Sequence, residues 1–140
     1  MAFDKDAAER LLAQVFAAWV QALDLSVEEI GADGAILRMR FSERLCRDNG
    51  GVCGQAIASL ADTAMVFAVS AASGGYRPMT TVDQTVHFLR PIANADALAV
   101  ARVLRLGRSM AFGQVTIVAE GDARRPRRRR RPTRSWPVKL

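Results

Sequence analysis

Asp62 stands alone as a charge within Gln55-Ala56-Ile57-Ala58-Ser59-Leu60-Ala61-Asp62-Thr63-Ala64-Met65-Val66-Phe67-Ala68-Val69, a run that is otherwise small and apolar. An ionised carboxylate taken out of water without a partner is costly, so a chain that keeps one there has a use for it. The glycine-rich stretch Asn49-Gly50-Gly51-Val52-Cys53-Gly54 leads directly into that run. Backbone of this kind can approach a ligand closely, and N–H groups at a helix start meet the positive end of the helix dipole. That is what an oxyanion or a phosphate needs. Asp62 follows roughly two helical turns later, where it can serve as a general base or nucleophile. Plainer readings stand beside these: a flexible loop for the glycines, and for Asp62 a buried carboxylate bonded to Ser or Thr neighbours.

The remaining candidates are thinner. His87 is the only histidine, and with Cys46 and Cys53 it offers no metal-ligand spacing. There is no G-x-S-x-G elbow, which argues against a Ser-His-Asp triad. His87 shares a strand face with Thr81, Asp83 and Thr85 and reads as structural or solvent-facing. Cys53 has no base near it in sequence and reads as loop packing. Arg47, Arg90 and Arg108 each lie in or beside a loop, where a guanidinium fork can bind phosphate or simply face solvent.

The elements that must position these residues follow from periodicity. Leu11, Leu12, Val15, Phe16, Trp19 and Val20 recur at helical spacing within Ala7–Leu23, which puts Trp19 in the core. Leu25–Ile30 and Ala35–Phe41 flank Gly31-Ala32-Asp33-Gly34, a hairpin signal. A loop from Ser42 to Gly54 precedes a long helix, Gln55–Ala72, apolar nearly all round and therefore central and buried. Ser73-Gly74-Gly75-Tyr76-Arg77-Pro78 ends it. Met79–Leu89, Ala97–Leu106 and Met110–Glu120 read as three further strands, the last two joined by Gly107-Arg108-Ser109. Helix, two strands, long helix, then three strands is not an alternating β-α-β order. It predicts an α+β domain with an antiparallel sheet around one helix.

Composition sets the outer bounds. One domain is expected from 140 residues, of which 50% are hydrophobic. Asp62 interrupts the best candidate for a membrane span, and the polar N-terminus has no signal-peptide pattern, so the chain reads as cytoplasmic with both cysteines reduced. The formal charge of +6 belongs to the C-terminus: from Arg124 to Leu140 there are eight Arg and one Lys and no acid, and the remainder is net −3.

These residues together resemble the PaaI-type hotdog-fold thioesterases over roughly Leu11–Glu120. The pieces that carry the resemblance are Gly50-Gly51-Val52-Cys53-Gly54-Gln55, Leu60-Ala61-Asp62-Thr63-Ala64, Val82 through Phe88-Leu89-Arg90-Pro91, and Leu106-Gly107-Arg108. The resemblance implies a curved antiparallel sheet wrapped around a long helix. It also implies a homodimer or a dimer of dimers with active sites at the subunit interface, and an acyl-CoA substrate without a cofactor or metal. Asp62 matches the catalytic carboxylate, Gly54 the glycine whose N–H polarises the thioester carbonyl, and Thr81 a hydroxyl that helps place the water. Arg90, Gly107 and Arg108 fall where coenzyme A phosphates are met. Many members carry His-Gly-Gly where this chain has Cys53-Gly54-Gln55, and Asn where it has Arg47. Cys53 and Gln55 are then candidates for substrate binding, and Arg47 would pair with a carboxylate or orient the thioester. The same fold without turnover would be an acyl-CoA or small-ligand binding dimer.

The domain is expected over 1–123. Beyond it, Arg124-Arg125-Pro126-Arg127-Arg128-Arg129-Arg130-Arg131-Pro132 is a low-complexity tail expected to lack structure. Such a run can tether nucleic acid, but no aromatic residue interleaves it, which argues against single-strand binding. Members of the family end in a further strand, often containing Thr-Tyr. With permissible codons, a shift back by one nucleotide lets Arg131–Val138 read Thr-Tyr-Thr-Leu-Val-Ala-Gly, so the tail reads as the product of a reading-frame change near Arg124.

Overall fold

The computed structural model of the protein describes residues 2–125 and the backbone of 136–139. The rest of the Arg-rich segment, and with it the expected reading-frame change, lies outside the described residues. Two short helices, α1 (Lys5–Gln14) and α2 (Ala18–Gln21), precede the hairpin β1 (Leu25–Ile30) and β2 (Gly34–Met39). A short 3-10 turn leads to α3 (Gly54–Ala72), followed by β3 (Ala97–Leu106), β4 (Met110–Ala119) and β5 (Trp136–Lys139). The strands form one antiparallel sheet in the order β1-β2-β3-β4-β5, with α3 packed across it. The α+β architecture expected from the element order is the one observed.

The core lies between α3 and one face of the sheet. Leu60, Ala64, Phe67, Ala68 and Val69 of α3 are fully buried against Leu37, Ala99 and Ala111. Ala97, Ala99 and Ala101 share that face at period two, and their small side chains let the helix approach closely. At Gly113 a Cβ would lie 2.3 Å from Met65 Cε and 2.9 Å from the Arg102 carbonyl oxygen, so the glycine leaves the space that the Met65 side chain fills. Ser59, Thr63 and Ser70 satisfy their hydroxyls by donating to carbonyls four residues earlier, which lets polar residues sit in an apolar helix. Past Ser73 the chain turns at Gly74, whose φ of 76° suits glycine.

The opposite face of the sheet carries an ionic lock. Arg38 bonds Glu28 at 2.5 Å, Asp96 at 2.8 Å and Glu120 at 2.7 Å, and the Phe41 N–H donates to Asp96 at 2.7 Å. The guanidinium is held charged by Glu120, Glu28 and Asp96. The Phe41 N–H and then Arg38 hold the Asp96 carboxyl below its ordinary value. One residue of β2 thereby ties together β1, the residue preceding β3, and the residue following β4.

The structure departs from the sequence expectations in four places. Trp136–Lys139, beyond the expected domain boundary at 123 and within the tail expected to lack structure, pairs as β5 with Met110–Gly113. The helix expected over Ala7–Leu23 is broken. Phe16 leaves the helical path to stack on Phe67 with ring centroids 5.6 Å apart, and the Gln21 side chain donates to the freed Phe16 carbonyl at 2.9 Å. The second piece, α2, buries nothing, and Trp19 is 62% exposed rather than in the core. Met79–Leu89, expected as a strand, forms none; only Thr80 makes an isolated bridge. Asp62, expected to be buried, is exposed. Among the described residues no strand runs between this segment and the adjacent stretch of β4, and Asp62 is met there by the Thr81 hydroxyl.

Candidate active site

The glycine-rich stretch is a built turn rather than a flexible loop. Cys46 and Val52 form a bridge across it, the Arg47 N–H donates to Gly51 O at 2.7 Å, and the Gly50 N–H donates to Arg47 O at 3.0 Å. Gly50 takes a φ of 83°, a conformation open to glycine at little cost. The Val52 N–H bonds Ile92 O and the Cys53 N–H bonds Leu45 O, each at 2.8 Å, which fixes the entry into α3. Cys53 is the N-cap but makes no side-chain cap bond. The first-turn N–H groups, beginning with Gly54, have no acceptor within the helix and are free to serve a ligand.

Two turns along α3, Asp62 accepts a hydrogen bond from the Thr81 hydroxyl at 2.5 Å. Gln84 Nε2 donates to Ala58 O at 3.0 Å, a second tie between the 79–89 segment and α3. The Phe88 ring lies over Gly54, 3.2 Å from where a Cβ would be. The segment thus lies along the exposed side of α3 from Asp62 back to the helix start. Between it and β4 lies a groove of about 1050 Å³.

Five of the sequence candidates line this one groove: Asp62, Gly54, Thr81, Arg47 and Arg90. Cys53 is half-buried against the core, and Gln55 is exposed; neither is among the groove-lining residues. Gly107 and Arg108 occupy the β3–β4 turn, where the Gly107 N–H bonds Met110 O at 2.7 Å, also away from the groove. His87 lines it along with its segment neighbours. Sequence reasoning missed Gln84 and the covering role of Phe88. Both contacts depend on where the 79–89 segment comes to lie against α3, which its own residues do not determine.

A curved antiparallel sheet folded over one long apolar helix, with a carboxylate on that helix facing a groove, is the hotdog architecture. Residues 49–125 match the family model described as the thioesterase superfamily. A protein of Halobacterium salinarum whose name proposes an esterase is 33% identical over 107 residues, covering 71% of this chain and 69% of the relative. A crystal structure from Silicibacter sp. TM1040, whose proposed activity is that of a thioesterase, superposes with a TM-score of 0.76 at 27% identity, covering 98% and 88% of the two chains. The PaaI protein from the phenylacetic acid degradation operon of E. coli shares the fold, with a TM-score of 0.71 at 19% identity, covering 96% and 88%. The chain belongs to the thioesterase superfamily, with the hotdog fold of PaaI-type proteins; its class of activity is thioester hydrolysis.

Proposed function

We propose that this protein hydrolyses acyl-CoA thioesters, with Asp62 as general base or nucleophile. The observation that supports this most is the meeting of three groups in one groove: the Asp62 carboxylate, the Thr81 hydroxyl bonded to it, and the uncapped start of α3 at Gly54. As base, Asp62 takes a proton from water as the water oxygen bonds to the thioester carbonyl carbon. The carbonyl oxygen becomes an oxyanion that the Gly54 N–H stabilises by on the order of 3 kcal/mol. Collapse breaks the C–S bond, and the thiolate leaves with the proton held by Asp62. As nucleophile, Asp62 bonds to the carbonyl carbon and the C–S bond breaks, releasing the thiolate and leaving a mixed anhydride that water opens to the free carboxylic acid and the Asp62 carboxylate. Thr81 orients the carboxylate in either case. Arg47 and Arg90 meet the coenzyme A phosphates at the groove. A role for Gly107 and Arg108 requires a second subunit to bring their turn to the groove, so a homo-oligomer is part of the proposal, as is a cytoplasmic setting where acyl-CoA is found.

The test is thiol release from a panel of acyl-CoAs by the wild type and by Asp62→Asn. Hydrolysis of one or more thioesters by the wild type, lost in the variant, is expected. Equal rates would refute the role of Asp62. The Phe88 ring beside Gly54, 3.2 Å from where a Cβ would lie, favours a second reading, an acyl-CoA binding protein without turnover, because it crowds the start of α3. Saturable binding with no thiol release across the panel would establish it.

A further inference from the structure

Three residues of the 79–89 segment meet α3 in reverse order along one stripe of the helix. Thr81 donates to Asp62 at 2.5 Å, Gln84 donates to the Ala58 carbonyl at 3.0 Å, and the Phe88 ring lies beside Gly54. Gly54, Ala58 and Asp62 recur every four residues, about one turn apart, so they share one side of α3. Gln84 therefore acts one turn from the carboxylate, on the side of the helix start, and it lines the same groove.

The chemistry of the Gln84 bond is fixed by its partner. A carbonyl oxygen can only accept, so the amide must present its NH2 group there. The Ala58 carbonyl is also the oxygen that accepts from the Asp62 N–H within the helix. One peptide group thus carries both the Asp62 backbone and the amide that clasps the segment. The Asp62 carboxylate ends a short, exposed side chain with two torsions of its own. The Thr81 hydroxyl can fix it only as firmly as Thr81 is itself held. A single hydrogen bond lets the segment roll about its own axis, and a roll swings the hydroxyl off the carboxylate. In a regular strand, residues three apart leave opposite sides of the backbone. Thr81 and Gln84 nevertheless both reach α3, so together they grip the segment from either side and oppose that roll.

We propose that Gln84 is a positioning residue of the hydrolytic site: by clasping the Ala58 carbonyl it keeps the Thr81 hydroxyl on Asp62, and so sets the direction in which the carboxylate faces the thioester. It acts through Thr81 and not on the substrate. The effect on rate rests on the hydrolytic reading of Asp62; the effect on Thr81 does not.

The experiment compares the wild type, Gln84→Met, Thr81→Val and the double variant. Methionine keeps the length of glutamine and loses the donor. Thiol release is measured on the acyl-CoA that the wild type hydrolyses fastest, and the Thr81 side-chain torsion is read from its three-bond couplings by NMR. Gln84→Met should lower kcat by about three- to tenfold, with KM within about twofold. It should also turn the single Thr81 rotamer of the wild type into an average of several. In the Thr81→Val background the same replacement should leave kcat within about twofold, because the group it acts through is gone. An unchanged Thr81 rotamer in Gln84→Met overturns the proposal whether or not the protein hydrolyses thioesters. An equal loss of kcat in both backgrounds also overturns it, since Gln84 would then act without Thr81. A raised KM at unchanged kcat overturns it by making Gln84 a substrate-binding group. A wild type that releases no thiol across the panel, while Gln84→Met still frees Thr81, overturns the hydrolytic reading and the effect on rate but upholds the clasp.

Discussion

α3 lies against two regions held in different ways. Toward β1, β2 and β3 it meets laddered strands whose helix-facing side chains are almost completely buried, backed by the Arg38 lock on the far face. Toward the 79–89 segment it meets chain without a ladder, tied by two side-chain hydrogen bonds and one ring on a glycine. The first region holds the fold, and the second presents polar groups to a groove. A single helix can serve both because its faces differ: Leu60, Ala64 and Phe67 on one side, Ala58 and Asp62 on the other. Stability and chemistry are therefore separable by mutation.

The largest effect expected is in the groove. Asp62→Asn should lower thiol release by about 10²–10⁴-fold, a barrier increase of about 3–5.5 kcal/mol, with little change in the urea midpoint. Loss of folding in step with activity would break the separation. On the other side, Leu37→Ala should cost about 2–5 kcal/mol in urea unfolding, because Leu37 is 0% exposed and its loss leaves a cavity. The rate per folded molecule should stay within about twofold of wild type, since the change removes packing and no group that lines the groove.

The lock gives a smaller, pH-dependent effect. The Asp96 carboxyl is held below its ordinary value by the Phe41 N–H and Arg38, so its stabilisation is present above the unfolded carboxylate range. It is lost as pH falls through the lower folded value. Asp96→Asn should therefore cost about 1 kcal/mol near neutral pH, and the difference from wild type should vanish in acid, read as urea midpoints from about pH 7 to pH 3. A difference constant with pH would remove the ionic account. Smallest of all, Gln84→Ala should change global stability by less than about 1 kcal/mol while speeding amide exchange in 79–89. Unchanged exchange would show that this tie does not hold the segment.

Local pattern made much of this legible. The lone charge in an apolar run located Asp62 on α3, and period-two alternation with short glycine turns placed β1–β2 and β3–β4. What stayed hidden depends on partners distant along the chain. Arg38 could be read as an exposed strand residue, because Glu28, Asp96 and Glu120 converge on it only after the sheet forms. Met79–Leu89 has strand-like alternation, yet a strand needs a neighbour, and its own residues do not say whether one is there. Asp62 is exposed on the same side, where no strand among the described residues adjoins the segment. Trp19 is misplaced because a helical period persists through Phe16, and the stacking on Phe67 that breaks the helix is a tertiary event.

The contact of Met65 with Gly113 has a consequence for how such a groove can diversify. Both residues line the groove, and a Cβ at 113 would lie 2.3 Å from Met65 Cε and 2.9 Å from the Arg102 carbonyl oxygen, so it would displace the thioether and press on the β3 backbone. The floor is crowded here: enlarging position 113 displaces Met65 and strains the pairing of β3 with β4. Room for a longer or bulkier group is more readily made at the rim, in 79–89, whose residues are mostly exposed and form no strand.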